Sequence, residues 1–163
     1  LSDTCSLVYP EAALPKNLET SIDISAPPER VWDVVSDPRR MPEFSPQCVR
    51  MITVGRPRAG AWTINLNRAG WKFWPTTARI VRYEPNHALA FRVNQNRSVW
   101  SYTLEPIETG TRLIERRDMP NGTTVFSRKA IDLVLGGEAA FEEALLRGMN
   151  ETLAKIKTAV ETN

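Results

Sequence analysis

The sequence predicts an α+β fold, a seven-stranded curved antiparallel sheet around a long C-terminal helix, with two short helices after the first strand. Three observations carry this. Residues 137–161 hold an apolar stripe, Phe141, Leu145, Met149, Leu153, Ile156 and Val160, at steps of four, four, four, three and four. That is helical spacing and not strand spacing. Seven strand-like runs come before it. Short polar turns join those runs at regular intervals, as in an antiparallel meander. A sheet curled around a helix tends to leave a cavity between the two.

Residues 1–17 carry two prolines and little periodicity, and read as an N-terminal arm ahead of a domain over residues 18–163. Residues 18–26 alternate, with Ile22 and Ile24 on one face and Ser21, Asp23 and Ser25 on the other, as a half-buried strand does. Ala26-Pro27-Pro28 stops the strand. Pro28 suits the first helical position, where its missing N–H needs no partner. Residues 29–36 form that helix, with Val31, Val34 and Val35 inward, and Asp37-Pro38 ends it. Residues 39–44 form a second short helix, closed by Ser45-Pro46. Strands are expected at residues 49–54, 61–68, 74–83, 88–94, 97–105 and 111–118. Residues 124–135 are apolar and read as helical, and Gly136-Gly137 breaks the chain before the long helix. Glu143 with Arg147, and Glu151 with Lys155, sit four apart on its wet side.

A chain of 163 residues reads as one domain, and 42% hydrophobic content supplies a core. The net charge is only +2, with no run of basic residues and interleaved aromatics, so nucleic acid is not an expected partner. No apolar stretch reaches about eighteen residues, so no transmembrane helix is expected. No signal-peptide pattern opens the sequence, and a cytoplasmic location is expected. Cys5 and Cys48 lie far apart, no C-x-x-C occurs, and His87 is the only histidine. A Cys/His zinc site is thereby excluded, and two free thiols in a reducing compartment are expected. No metal and no cofactor is expected. His87 falls in a turn, no nucleophile elbow is present, and no glycine-rich phosphate loop occurs.

Several segments resemble one family. The run from Ile24 to Asp37, Ile-Ser-Ala-Pro-Pro-Glu-Arg-Val-Trp-Asp-Val-Val-Ser-Asp, resembles the I-x-A-P-x-E-x-V-W-x-x-V-x-D opening of the START-like superfamily. That superfamily includes the polyketide cyclase/dehydrase and lipid-transport family, often called SRPBCC. Pro42-Glu43-Phe44-Ser45-Pro46-Gln47-Cys48 is similar to a P-E-W-S-P-E-C segment of its actinobacterial-type branch, with Phe44 in place of Trp. Trp100 to Pro106, Gly110 to Arg116, and Gly148 to Lys157 resemble further segments of that branch. The resemblance covers about residues 18–161 and implies a START-like helix-grip fold. It leaves function open, because the family includes cyclases, hydrolases and lipid carriers. One departure concerns an F-x-G-x-N pattern, whose aligned positions here are Thr63, Asn65 and Asn67. If that face looks inward, a cavity gains two polar groups.

Alternation in the sixth strand puts Trp100, Tyr102 and Leu104 on the helix side. Leu113 marks the inward face of the last strand, so Glu115 and Arg117 share it. Buried charges are costly unless paired and hydrogen-bonded. Three readings stand: a Glu115–Arg117 pair tying the sheet to the helix, a polar anchor for a ligand, or acid/base catalysis by Glu115, Arg117 and Tyr102. The aromatic set, Trp62, Trp71, Phe73, Trp74, Phe91, Trp100, Tyr102, Phe126 and Phe141, reads first as core, with one or more of the Trp71–Trp74 cluster at a pocket mouth. The expected function is binding of a small hydrophobic molecule, lipid or polyketide-like, in the sheet–helix cavity. The expected lining is Asn67, Trp74, Phe91, Trp100, Tyr102, Glu115, Arg117, Phe141, Leu145 and Met149. The alternatives are an aromatase/cyclase-type acid/base enzyme and a packed domain without catalysis, the latter favoured by a cavity under about 300 Å³.

Overall fold

The computed structural model describes residues 17–120 and 138–162. The expected arm, the helix at residues 124–135, the Gly136-Gly137 break, Cys5 and Phe126 lie outside these residues, apart from Asn17. Strand β1 (Leu18–Ile24) leads into α1 (Pro28–Val35), a 3₁₀ turn (Pro38–Arg40) and α2 (Met41–Phe44). Strands β2 (Cys48–Thr53), β3 (Trp62–Ala69), β4 (Lys72–Glu84), β5 (Ala88–Val93), β6 (Val99–Ile107) and β7 (Gly110–Asp118) follow, and α3 (Glu138–Glu161) closes the chain. The seven strands form one sheet in the order β1-β7-β6-β5-β4-β3-β2, and each neighbouring pair is antiparallel.

Local chemistry explains the elements. Pro28 opens α1, and Pro27 before it is extended (φ −67°, ψ 158°). Asp37 caps the 3₁₀ turn, accepting a 3.0 Å hydrogen bond from the Arg39 N–H. Pro75 sits in β4 opposite Leu66, beyond the end of β5, so its missing N–H breaks no β4–β5 bond. The sixth strand starts two residues later than the sequence predicts. Arg97 holds φ +62°, which strand backbone does not allow, and Ser98 donates from N–H and Oγ to Asn96 Oδ1. Gly110 starts β7 at φ +144°, where a Cβ would stand 2.1 Å from the Ile24 carbonyl oxygen. No larger residue fits this crossing of β1 and β7.

The core lies between the inner sheet face and the helices. Leu145, Met149, Leu153, Ile156 and Val160 of α3 are all buried, and Phe141 is half-buried. Leu153, Ile156 and Val160 join Ile24, Val31, Val35, Leu104 and Leu113 in the larger cluster. Leu145 and Met149 form a smaller one with Leu18. Trp32 of α1 meets Tyr83 of β4 edge-on, ring centres 5.1 Å apart. Ion pairs at Glu143–Arg147 (2.8 Å) and Glu151–Lys155 (2.7 Å) sit on the wet side of α3. No described helix is long and apolar enough to cross a membrane.

Ile156 is fully buried, whereas Leu145 also borders the cavity described below. Truncating a core aliphatic leaves a void, and the cost follows the size of that void and how far its walls relax. Ile156→Ala should lower the unfolding free energy by about 3–5 kcal/mol in urea titrations, and Leu145→Ala by about 2 kcal/mol. Equal losses would mean that Leu145 is packed as tightly as Ile156.

Candidate functional site

The inner face of the sheet, the N-terminal half of α3 and the residues on and after α2 border a half-open cavity of about 170 Å³. Asn67, Trp74, Phe91, Trp100, Tyr102, Glu115, Arg117, Phe141 and Leu145 line it together with residues the sequence reading missed. Met149 does not line it. One helical turn beyond Leu145, Met149 packs against Leu18 and borders a separate void of about 30 Å³. The missed residues are Met41, Ser45, Gln47, Cys48 and Met51, on and after α2, with Asn65, Thr76, Val93 and Asn96 from the β3–β6 side. Most sit on short connections or at strand ends, where periodicity gives no direction. Asn65 did carry a signal, as the polar residue at a position the family resemblance aligns with glycine.

Strand register assembles the polar centre. Tyr102 of β6 stands directly opposite Glu115 of β7, and Trp100 opposite Arg117. The Tyr102 hydroxyl donates to Glu115 Oε1 at 2.9 Å, and Met41 Sδ lies 3.5 Å from the same hydroxyl. Glu115 is only 3% exposed. Glu115 Oε2 and Asn65 Oδ1 are buried with no hydrogen-bond partner among the described residues. Asn65 and Asn67 both donate from Nδ2 to Thr76 Oγ1, at 3.3 and 3.0 Å. The β3 face carrying Thr63, Asn65 and Asn67 does look inward.

The expected Glu115–Arg117 pair is absent: no ion pair joins the two side chains. Successive inward positions on one strand are about 7 Å apart, and each side chain is engaged across the ladder instead. The Arg117 guanidinium lies 5.8 Å from the Trp100 ring centre and 5.9 Å from that of Phe141, between sheet and helix. Burial lowers its proton affinity, and the Glu142 carboxylate works against that. Burial pushes the Glu115 carboxyl up to about 8, against the opposing Tyr102 hydrogen bond. Burial, then the Glu115 charge, hold the Tyr102 phenol well above its usual range. Below about pH 8 Glu115 is therefore a neutral acid. Since Oε1 accepts from Tyr102, the proton belongs on Oε2, which then offers a donor into the cavity. Burial also pushes the free Cys48 thiol up to about 11, which leaves it unreactive.

Other expected residues lie elsewhere. Of the Trp71–Trp74 cluster, Trp74 lines the cavity, while Trp71 and Phe73 face out, as does Trp62. His87 is exposed in the β4–β5 turn, 3.9 Å from Glu84. Among the described residues no group of His, Cys, Asp and Glu could hold a metal ion.

Glu115 makes stability depend on pH in a defined direction. The folded state binds its proton more tightly than the unfolded chain does. The stability due to the protonated acid is fully present below about 4.5 and is lost as pH rises through about 8. The slope approaches about 1.4 kcal/mol per pH unit inside that window. Glu115→Gln should therefore gain on the unsubstituted protein between pH 5 and 8.5, measured as the difference in unfolding free energy. A constant difference across that range would contradict the buried neutral acid.

Comparisons with known proteins place this geometry. Residues 15–161 match the family described as polyketide cyclase / dehydrase and lipid transport. The solution structure of the Polyketide_cyc-like protein Cgl2372 from Corynebacterium glutamicum is 31% identical, over 91% of this chain and 94% of that one, with a TM-score of 0.58. The Zhui aromatase/cyclase from Streptomyces sp. R1128 shares the fold at 14% identity, over 90% and 93% of the two chains, with a TM-score of 0.72. The di-domain aromatase/cyclase StfQ of the steffimycin biosynthetic pathway also has a TM-score of 0.72, at 13% identity, over 90% of this chain and 50% of that one. A search of curated proteins gave no match. The chain has the helix-grip fold, and it belongs to the polyketide cyclase/dehydrase and lipid-transport family.

Proposed function

We propose that this protein binds a small, mostly apolar molecule with one polar end in the sheet–helix cavity. The observation that carries the reading is the pair of buried, unpartnered oxygens on that cavity, Glu115 Oε2 and Asn65 Oδ1. Protein interiors rarely leave such groups without a partner, and a guest that bonds them removes the penalty. Apolar walls with a few convergent polar groups are the general pattern of small-molecule sites. Phe91, Trp100 and Leu145 supply the walls here.

The volume narrows the guest. At about 170 Å³ the cavity falls below the 300 Å³ of drug-sized sites, a size that by itself favours the packed-domain alternative, so the binding reading rests on the two unpartnered oxygens and admits only a small guest. This supports a guest about the size of one substituted ring or a short acyl chain. A long lipid or a multi-ring polyketide is not supported. The guest's polar end would meet the Glu115 Oε2 proton, the Asn65 oxygen or the Arg117 guanidinium. Tyr102 is committed to Glu115 and anchors the acid more than the guest.

One observation favours a second, enzymatic reading of the aromatase/cyclase type. Glu115 lines the cavity with its Oε2 unpartnered, and burial pushes its carboxyl up to about 8, so it can give its proton to a guest carbonyl oxygen and take one back. In that reading Glu115 is the acid/base, Tyr102 positions it, and Arg117 holds an anionic substrate group.

Thermal-shift measurements test both readings. Single-ring phenols, benzoates and short-chain acids should raise the melting temperature in proportion to their occupancy. Arg117→Met should weaken a benzoate more than the matching neutral amide. Glu115→Gln should weaken guests with a carbonyl end at pH 6, and any turnover should fall as pH rises through about 8. A series of graded guest sizes that gives no shift at all would leave only the packed-domain reading.

A further inference from the structure

The outer face of β2, β3 and β4 exposes many apolar side chains, and on β3 the usual hydrophobic pattern is inverted. On β3 the polar residues Thr63 and Asn65 point in, while Trp62, Ile64 and Leu66 point out. Cross-strand register extends the apolar face. Ile52 lies opposite Ile64, and Leu66 opposite Pro75. At the tip of the β3–β4 hairpin, Trp71 is 83% exposed and Phe73 57%. Scattered exposed apolar side chains need no explanation, but a contiguous patch marks an interaction surface.

The same stretch carries an unusual charge. Between Glu43 and Glu84 the sequence has seven basic residues and no acidic one. The rest of the chain holds 14 basic and 19 acidic residues, a net of −5. The basic residues are interleaved with the apolar ones. Arg50 stands opposite Leu66, Arg79 opposite Trp62, and Arg68 opposite Phe73 with its guanidinium 6.0 Å from that ring centre. Arg56 and Arg58 are exposed in the adjoining β2–β3 turn.

We propose that this face docks on an anionic lipid surface. Aromatic and aliphatic side chains enter the headgroup boundary, while arginines among them meet lipid phosphates. Charge selects the occupant. A two-fold contact with a second copy would set this basic face against itself. Single-stranded nucleic acid would use the aromatics for stacking, yet Ile52, Ile64 and Leu66 offer nothing to a base. Both alternatives therefore leave part of the face unused or opposed. The proposal does not depend on what the cavity holds.

Sedimentation with vesicles tests it. The whole chain should partition onto phosphatidylcholine vesicles containing phosphatidylglycerol and stay free of phosphatidylcholine alone. Trp71→Ser combined with Phe73→Ser should cut partitioning by roughly tenfold. Arg50→Ser and Arg68→Ser should each cut it by about fivefold, and added salt should weaken the unsubstituted protein in the same way. All four positions are exposed, and an unchanged melting temperature shows that the variants fold. No partitioning onto the anionic vesicles would overturn the proposal. So would equal partitioning by the variants, a dimer in sedimentation that shields these residues, or tighter binding to a thymidine oligomer than to vesicles.

Discussion

Burying one carboxyl group organises the interior of this protein. Glu115 sits on the inner face of β7 with almost no access to water, in a setting where an ionised carboxylate would be costly. Among the described residues no cation compensates it. The nearby guanidinium of Arg117 turns instead to the Trp100 and Phe141 rings. The acid therefore holds its proton through neutral pH, and Tyr102 fixes its orientation with one hydrogen bond. Apolar walls sustain that state, and the polar β3 face gives it a counterpart across the cavity.

Sheet register makes this arrangement possible. Tyr102 and Glu115 meet because β6 and β7 pair with those residues directly opposite, close enough for side chains to touch. Gly110 helps to hold the β1–β7 crossing that sets the start of β7. Helix α3 then divides its work along its length. Leu153, Ile156 and Val160 complete the core, and Phe141 and Leu145 roof the cavity. One strand, β3, serves two surfaces at once. Its polar side chains enter the interior and its apolar ones face out.

Much of this was legible in the sequence. Strand-like runs bounded by short polar turns located all seven strands to within about two residues, and the spacing of six apolar side chains located α3. Period-two alternation within the sixth and last strands put Tyr102, Glu115 and Arg117 on the inner face. It did not reveal their partners, because a period describes one strand while the contacts run between strands. Glu115 and Arg117 looked like a pair from their spacing, whereas register gave each a partner on β6. Trp62 read as core, since apolar residues normally face inward, and β3 reverses that rule. Met41, Cys48 and Met51 reach the cavity through the turns around α2, where no repeat announces direction. The cavity's volume depends on how the side chains fill the interior, which no pattern of residues encodes.

The most direct test follows the Glu115 carboxyl itself. With carbon-13-labelled glutamate, the side-chain carboxyl resonance of Glu115 is assigned by its loss in Glu115→Gln and titrated by NMR. The account predicts a midpoint near 8, well above the exposed glutamates of the same protein. A midpoint among those exposed glutamates would contradict it, because the group would then be an ionised, solvated carboxylate at neutral pH and not a buried acid.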